Sequence, residues 1–247
     1  VRIQGTLGLA EVARANNERE RARALYQGVV DDSDDPIWQV QALQELADLS
    51  LEEDNLDDAV TAWRTVLGLV PASSPAGVDA RLALVGALAE RREAERVQQY
   101  CQEITSATAD NPRVWQTCAE AFEQVSSPLA ALQAWNTLLS LDEVSPLADD
   151  VFAEAALGAA RLLHADGQHA AALTWCQDGL KRSNDPAVEM LLLSTQISAA
   201  RGLGDAEAEA AALAQRDEMA AATPQLAAAV LQESAQLARS EDECAEL

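Results

Sequence analysis

The feature that most constrains this chain is a small residue that recurs at a regular interval and is followed four places later by a bulkier one. Six copies align at intervals of 37, 37, 35, 41 and 37 residues, with the small position at Ala22, Ala59, Arg96, Ala131, Ala172 and Glu209. The bulky positions are Tyr26, Trp63, Tyr100, Trp135, Cys176 and Leu213. Such a period is typical of arrays of helix pairs, in which each pair stacks on its neighbours to bury its apolar faces.

The clearest repeat begins at Asn111-Pro112 and predicts a hairpin of two helices. One face of its first helix carries Trp115, Cys118, Ala119 and Phe122, and one face of its second carries Ala131, Trp135 and Leu138. Small residues on this seam let the helices approach closely, while the large ones fill the space beside them.

The pattern and the prolines divide residues 1–239 into one solenoid with a closing helix. The predicted units are about 1–34, 35–71, 75–109, 111–143, 146–184 and 186–222, followed by a closing helix at 224–239 and an acidic tail at 240–247. The longer interval before the fifth unit predicts an extended turn or a lengthened helix around residues 141–151.

Composition favours an all-α fold, because alanine is abundant and aromatic residues make up only 4% of the chain. The 41 acidic residues against 17 basic ones leave a net charge of −24, which argues against binding to nucleic acid or to anionic membrane surfaces. Solubility or a saline habitat is an equally good explanation of the acidity.

No apolar run is long enough to insert into a membrane. The start at Val1 suggests a processed or truncated product.

The repeat resembles the tetratricopeptide repeat family, most clearly in the second, fourth and fifth units. The resemblance implies a right-handed superhelical solenoid of about six antiparallel helix pairs, and a protein that binds other proteins. The link from Pro71 to Leu82 looks like those of bacterial envelope members, which favours a periplasmic or membrane-tethered location over the cytoplasmic alternative.

The cysteines show no Cys-x-x-Cys spacing, so a zinc site is not indicated. Cys118 and Cys176 fall at predicted core positions. A disulfide between Cys101 and Cys118 on neighbouring helices is an open alternative, because only geometry decides it.

No motif of an enzyme is present, and no cofactor or metal is expected. His164 and His169 bracket a turn at Asp166-Gly167, where a metal site is a remote alternative to an ordinary helix-end histidine. We therefore expect no catalytic activity, and a metal-dependent enzyme is a distant third hypothesis.

In the resembled family the first helix of each pair lines a concave groove. The corresponding positions here are Arg14, Gln41, Gln44, Asp48, Arg81, Arg113, Gln116, Glu120, Glu123, Glu154, Arg161, His164, Ser198 and Arg201. Arginine forks suit carboxylates and peptide carbonyls, which suggests a scaffold that binds a peptide or protein segment. The alternative is that these arginines neutralise acids of the same chain. The lysine and asparagine of the family's carboxylate-binding members are absent here. A structural assembly module, whose end units self-associate or pack on other regions of a larger protein, is the second functional hypothesis.

Overall fold

A computed structural model describes residues 2–223 and Ala228, and within that part of the chain every regular element is an α-helix. The helices are α1 (Arg2–Ala15), α2 (Arg19–Asp32), α3 (Pro36–Glu52), α4 (Leu56–Leu69), α5 (Pro75–Glu90), α6 (Ala94–Ala107), α7 (Pro112–Gln124), α8 (Pro128–Leu141), α9 (Asp149–Ala165), α10 (His169–Arg182), α11 (Pro186–Leu203) and α12 (Ala206–Ala222). The all-α prediction is confirmed.

Local sequence explains where several first helices begin. In α3, α5, α7 and α11 the first residue is a proline, and the residue before it caps the helix by accepting a backbone N–H bond. Those caps are Asp35, Ser74, Asn111 and Asp185. Proline is tolerated at this position because the first-turn N–H groups have no partner inside the helix.

The chain divides into two compact units at residues 1–127 and 128–247. In the first, α1 packs on α2, α3 on α4 and α5 on α6; in the second, α9 packs on α10 and α11 on α12. The sequence predicts one continuous solenoid over residues 1–239. Whether the two units continue each other in this way stays a prediction. The predicted closing helix at 224–239 and the tail at 240–247 lie outside the described residues, apart from Ala228.

The first unit confirms most of the predicted seam. Ala22, Tyr26 and Ala59 have no exposed surface, and Trp63 is only 5% exposed. In α6, however, the buried face is formed by Val97, Cys101 and Ile104. Val97 and not Arg96 therefore occupies the small seam position of this repeat, because a one-residue shift rotates a helix face by about 100°. Tyr100, at the bulky position, is partly buried and packs against the core of the unit.

The second unit buries Ala131, Trp135 and Leu138 in α8, and Ala172 and Cys176 in α10, as predicted. Leu180 in α10 and Leu213, the sixth bulky position, in α12 are partly buried and pack against the core formed by Leu193, Ile197 and Ala212. Beside them, Gly179 is buried in α10 and Ala212 in α12. Glu209, aligned with the small position, instead binds Arg201 through its carboxylate.

An extended turn at residues 142–148 replaces the start of the fifth predicted helix, so α9 begins at Asp149 and not at Pro146. Arg182 secures this turn. Its guanidinium binds the carboxylates of Asp142 and Asp149 at 2.8 Å each and donates to the carbonyl oxygen of Leu147 at 2.6 Å. Burial opposes ionisation of Asp142, but the hydrogen bonds that its carboxylate accepts from Arg182 and from the backbone N–H of Leu147, with the charge of Arg182, outweigh this effect and lower its pKa.

Candidate functional site

Several first helices of successive pairs contact one another directly. In the first unit α1 contacts α3 and α5 contacts α7, and in the second unit α9 contacts α11. Among the described residues, no two successive second helices pack to the same extent. We call the surface formed by these first helices in each unit the first-helix wall. All of the predicted groove residues belong to first helices.

Arg14 in α1 is held by carboxylates of α3. Its Nη1 lies 2.6 Å from Oε2 of Glu45, and its guanidinium also binds Glu52. Glu45 accepts a second hydrogen bond, of 3.3 Å, from the hydroxyl of Tyr26. Burial and the charge of Glu45 raise the pKa of Tyr26 to about 12. Arg14 therefore joins two helices of the wall.

Three predicted residues form an open polar stripe on α3. Gln41, Gln44 and Asp48 follow at spacings of three and four, which place them on one helix face. Their side chains make no hydrogen bond or ion pair within the described part of the chain. The side chain of Asp48 is exposed, but the helix removes part of its hydration. This partial desolvation is the largest cause of its raised pKa, and the negative charges of Glu45 and Glu52 add to it. We call these three residues the α3 stripe.

Arg81 in α5 is mostly enclosed, with 12% of its side chain exposed. Nη1 donates to the carbonyl oxygen of Gly77 at 3.3 Å. Its buried Nε lacks a hydrogen-bond partner, although it lies 4.0 Å from a carboxylate oxygen of Glu103. This guanidinium faces its own unit more than it faces solvent.

Four predicted residues share one face of α7: Arg113, Gln116, Glu120 and Glu123. Arg113 is exposed and binds Asp79 of α5 at 2.7 Å. Beside that ion pair is a cleft of about 350 Å³ lined by Ser73, Pro75, Val78, Asp79, Thr108, Asp110, Asn111 and Arg113. The ion pair therefore bridges α5 and α7 at the edge of this cleft.

The second unit carries the remaining predicted residues on α9 and α11. Glu154, Arg161 and His164 lie on α9, and Ser198 and Arg201 on α11. The hydroxyl of Ser198 donates to the carbonyl oxygen of Ser194 at 3.1 Å, and Arg201 binds Glu209 at 2.7 Å. The hydroxyl of Ser198 is therefore hydrogen-bonded within its own helix, and Arg201 links α11 to α12.

The two histidines meet across the turn between α9 and α10. Nδ1 of His164 lies 3.0 Å from Nδ1 of His169, so one neutral ring can donate to the other. Within the described residues, no group of three or more His, Cys, Asp or Glu side chains is arranged to hold a metal ion. The pair is therefore a hydrogen-bonded contact that closes the turn.

Three of the predicted groove arginines form ion pairs within the chain. Arg14, Arg113 and Arg201 each bind a carboxylate of the same chain, which agrees with the neutralisation alternative. The open polar groups are instead the amides and the carboxylate of the α3 stripe.

Sequence reasoning missed Glu45 and a larger cleft outside the wall. Glu45 is separated from its partner Arg14 by 31 positions, and no local pattern marks such a contact. The cleft, of about 570 Å³, lies between α2, α3 and α4, with an apolar floor that includes Leu43 and Leu46 and a rim that includes Glu20 and Asp58. A groove between second helices has no periodic signature in the sequence.

Solved structures of low sequence identity have a similar fold. MamA has a TM-score of 0.59 at 14% identity, over 73% of this chain and 91% of its own. PilF of Pseudomonas aeruginosa has a TM-score of 0.59 at 16% identity, over 94% of this chain and 97% of its own. YrrB, described as a TPR protein with an unusual peptide-binding site, has a TM-score of 0.55 at 15% identity, over 76% of this chain and 89% of its own.

The fold is that of the tetratricopeptide repeat. This confirms the resemblance on which the groove positions depend. No protein-family model matches the sequence, and no curated protein matches it. None of the described helices combines the length and the apolar character needed to cross a membrane. The envelope location stays a prediction.

Proposed function

We propose that this chain is a non-catalytic scaffold that binds a peptide or protein segment along its first-helix wall. The α3 stripe is the observation that carries the proposal. Gln41 and Gln44 are half-buried and Asp48 is exposed, and all three lack partners within the described residues. A glutamine amide both donates and accepts, so two of them on one helix face can pair with the backbone of an extended segment.

The charges around the stripe favour a cationic residue in that segment. Glu45 and Glu52 both bind the guanidinium of Arg14, and Asp48 adds a third carboxylate close enough to interact with its charge, so the carboxylates that share Arg14 outnumber it. A lysine or arginine placed opposite Asp48 would offset the negative charges of Glu45 and Glu52, which add to the effect of desolvation in raising the pKa of Asp48. Complementary charge of this kind contributes to specificity and to the rate of encounter.

The fold gives independent support for protein binding and against catalysis. Tetratricopeptide proteins commonly mediate interactions between proteins, and YrrB is described as having a peptide-binding site. One fold serves many functions, so the choice of partner depends on the side chains of the wall.

Peptide selection tests the proposal without a known partner. Peptides are selected from a random phage-displayed library on the immobilised full chain, and their Kd values are measured by calorimetry. For peptides that require a Lys or Arg, Asp48→Ala should weaken binding by roughly 10- to 100-fold, since a hydrogen bond to a charged group contributes roughly 1.5–3 kcal/mol. Replacing both Gln41 and Gln44 by Ala should weaken binding by about tenfold or more.

Glu95→Ala is the matched control. Glu95 is exposed on the second helix α6 and has no side-chain partner among the described residues. Its replacement removes the same charge from a different face and should leave the Kd values unchanged. Selected peptides whose affinity is insensitive to all the wall variants, or falls equally with Glu95→Ala, would contradict the proposal.

Assembly with another chain is a second candidate, supported by α1. Leu9 and Val12 are 55% and 57% exposed on this helix. Analytical ultracentrifugation should then show association that depends on concentration and is lost in Leu9→Glu plus Val12→Glu. A monomer at all concentrations rules out self-assembly.

A further inference from the structure

Two cysteine side chains face each other where α6 packs against α7. Cys101 is 2% exposed and Cys118 is fully buried, and both are free thiols in the structure. Both thiols lie on the buried faces of these two packed helices, and Cys118 is near enough to Cys101 to affect its ionisation. They belong to consecutive helices in contact, so their approach does not depend on a distant part of the chain.

We propose that Cys101 and Cys118 are a site of covalent modification, where a disulfide joins α6 to α7 when the chain folds in the presence of a disulfide oxidant. With glutathione disulfide, the thiolate of one cysteine attacks the oxidant, forms a mixed disulfide and releases one glutathione. The other cysteine then attacks the sulfur of the first and displaces the second glutathione. The two protein thiols are oxidised by two electrons, and the oxidant is reduced to two molecules of glutathione.

Burial decides when this reaction can occur. The attacking group must be a thiolate, and an oxidant must reach it. Within the folded unit neither thiol is accessible, and the interaction with Cys118, together with burial, raises the pKa of Cys101. The bond therefore forms while the helices are still exposed during folding, and the folded chain retains the redox state in which it folded.

Cys176 provides a matched comparison within the chain. It is also a buried free thiol, but it lies on α10 in the second unit, and burial alone raises its pKa to about 12. It has no thiol in hydrogen-bond contact within the described residues. If contact between thiols determines the modification, Cys176 should remain reduced under the same conditions.

Peptide mapping of the full chain tests the pairing. The chain is unfolded and reduced, refolded with a glutathione redox buffer, alkylated under denaturing conditions and digested with trypsin. Cleavage after Arg96, Arg113 and Arg161 separates the two cysteines onto peptides 97–113 and 114–161. We expect these peptides to be recovered as a disulfide-linked pair lacking two hydrogens, and to separate after reduction.

Stability and timing give further readouts. The disulfide should raise Tm by about 6–12 °C in the wild type and in Cys176→Ala, but not in Cys101→Ala or Cys118→Ala. Folded reduced protein given the same buffer should form the bond far more slowly than refolding protein. Alkylation of both cysteines after oxidative refolding, or dominant pairing with Cys176 or Cys244, would overturn the proposal. Equally fast oxidation of the folded protein would overturn the timing.

Discussion

Gly158 is a position where adding one methyl group should have a clear effect on stability. It lies in α9 against the indole ring of Trp135 in α8. A β-carbon on residue 158 would stand 2.5 Å from both Cε2 and Nε1 of that ring. Because Trp135 is only 4% exposed and rigid, the ring can move only by displacing its neighbours.

Two opposing effects determine the magnitude for Gly158→Ala. Alanine is favoured over glycine inside a helix by roughly 0.8–1 kcal/mol. Extra volume in a packed core costs roughly 1–3 kcal/mol. We therefore expect a net loss of up to about 2 kcal/mol in the free energy of unfolding. Gly86→Ala in α5 is the control, since no atom lies within 4 Å of the added β-carbon. It should gain roughly 1 kcal/mol from helix propensity alone.

Urea unfolding followed by circular dichroism measures both variants, and their difference isolates the cost of overpacking. A double-mutant cycle with Trp135→Phe adds a second readout, because a smaller ring makes room for the methyl group. We expect a favourable coupling of roughly 1 kcal/mol between the two substitutions. The reasoning fails if Gly158→Ala raises the free energy of unfolding as much as Gly86→Ala does, or if the coupling energy with Trp135→Phe is zero.

Three other predictions address charge, the turn and a helix cap. The raised pKa of Asp48 means that its ionised form costs stability above the ordinary value of 3.8. Asp48→Asn should thus raise the free energy of unfolding at pH 7, by no more than roughly 0.5 kcal/mol because solvent screens the charge of this exposed side chain. No gain is expected at about pH 3, where the carboxylate is protonated in the folded and unfolded states. An equal gain at both pH values in urea melts would refute the electrostatic cause. Arg182→Ala should speed hydrogen exchange of the amides of residues 142–148, but not those of α12, because the turn loses three of its hydrogen bonds. Asp185→Ala should lower the free energy of unfolding by about 1 kcal/mol in the same melts, whereas Asp185→Asn, which can still cap α11, should cost much less.

The helices and many of their boundaries could be predicted because their causes are local. The Asn111-Pro112 start of α7 is an example, since a capping side chain and a proline act within one turn of the helix. The spacing of Ala59 and Trp63 likewise identifies a buried face without knowledge of the partner helix.

The α6 register could not be predicted in the same way. Arg96 and Val97 are neighbours, and either could be aligned with the repeat within the variation of its interval. Packing selects Val97, because an arginine on the seam would bury a charge, while at the surface its guanidinium binds Glu93 at 2.5 Å.

The candidate site likewise has a part that the sequence predicts and a part that only the tertiary structure shows. The repeat pattern places Arg14, Gln41, Gln44 and Asp48 on first helices, and the resemblance to the tetratricopeptide repeat implies that they line a groove. Only the tertiary structure shows that Arg14 binds Glu45 across 31 positions while the α3 stripe stays open. Ion pairs between distant segments follow from how the helices stack, and the repeat pattern does not encode which charged side chains then meet.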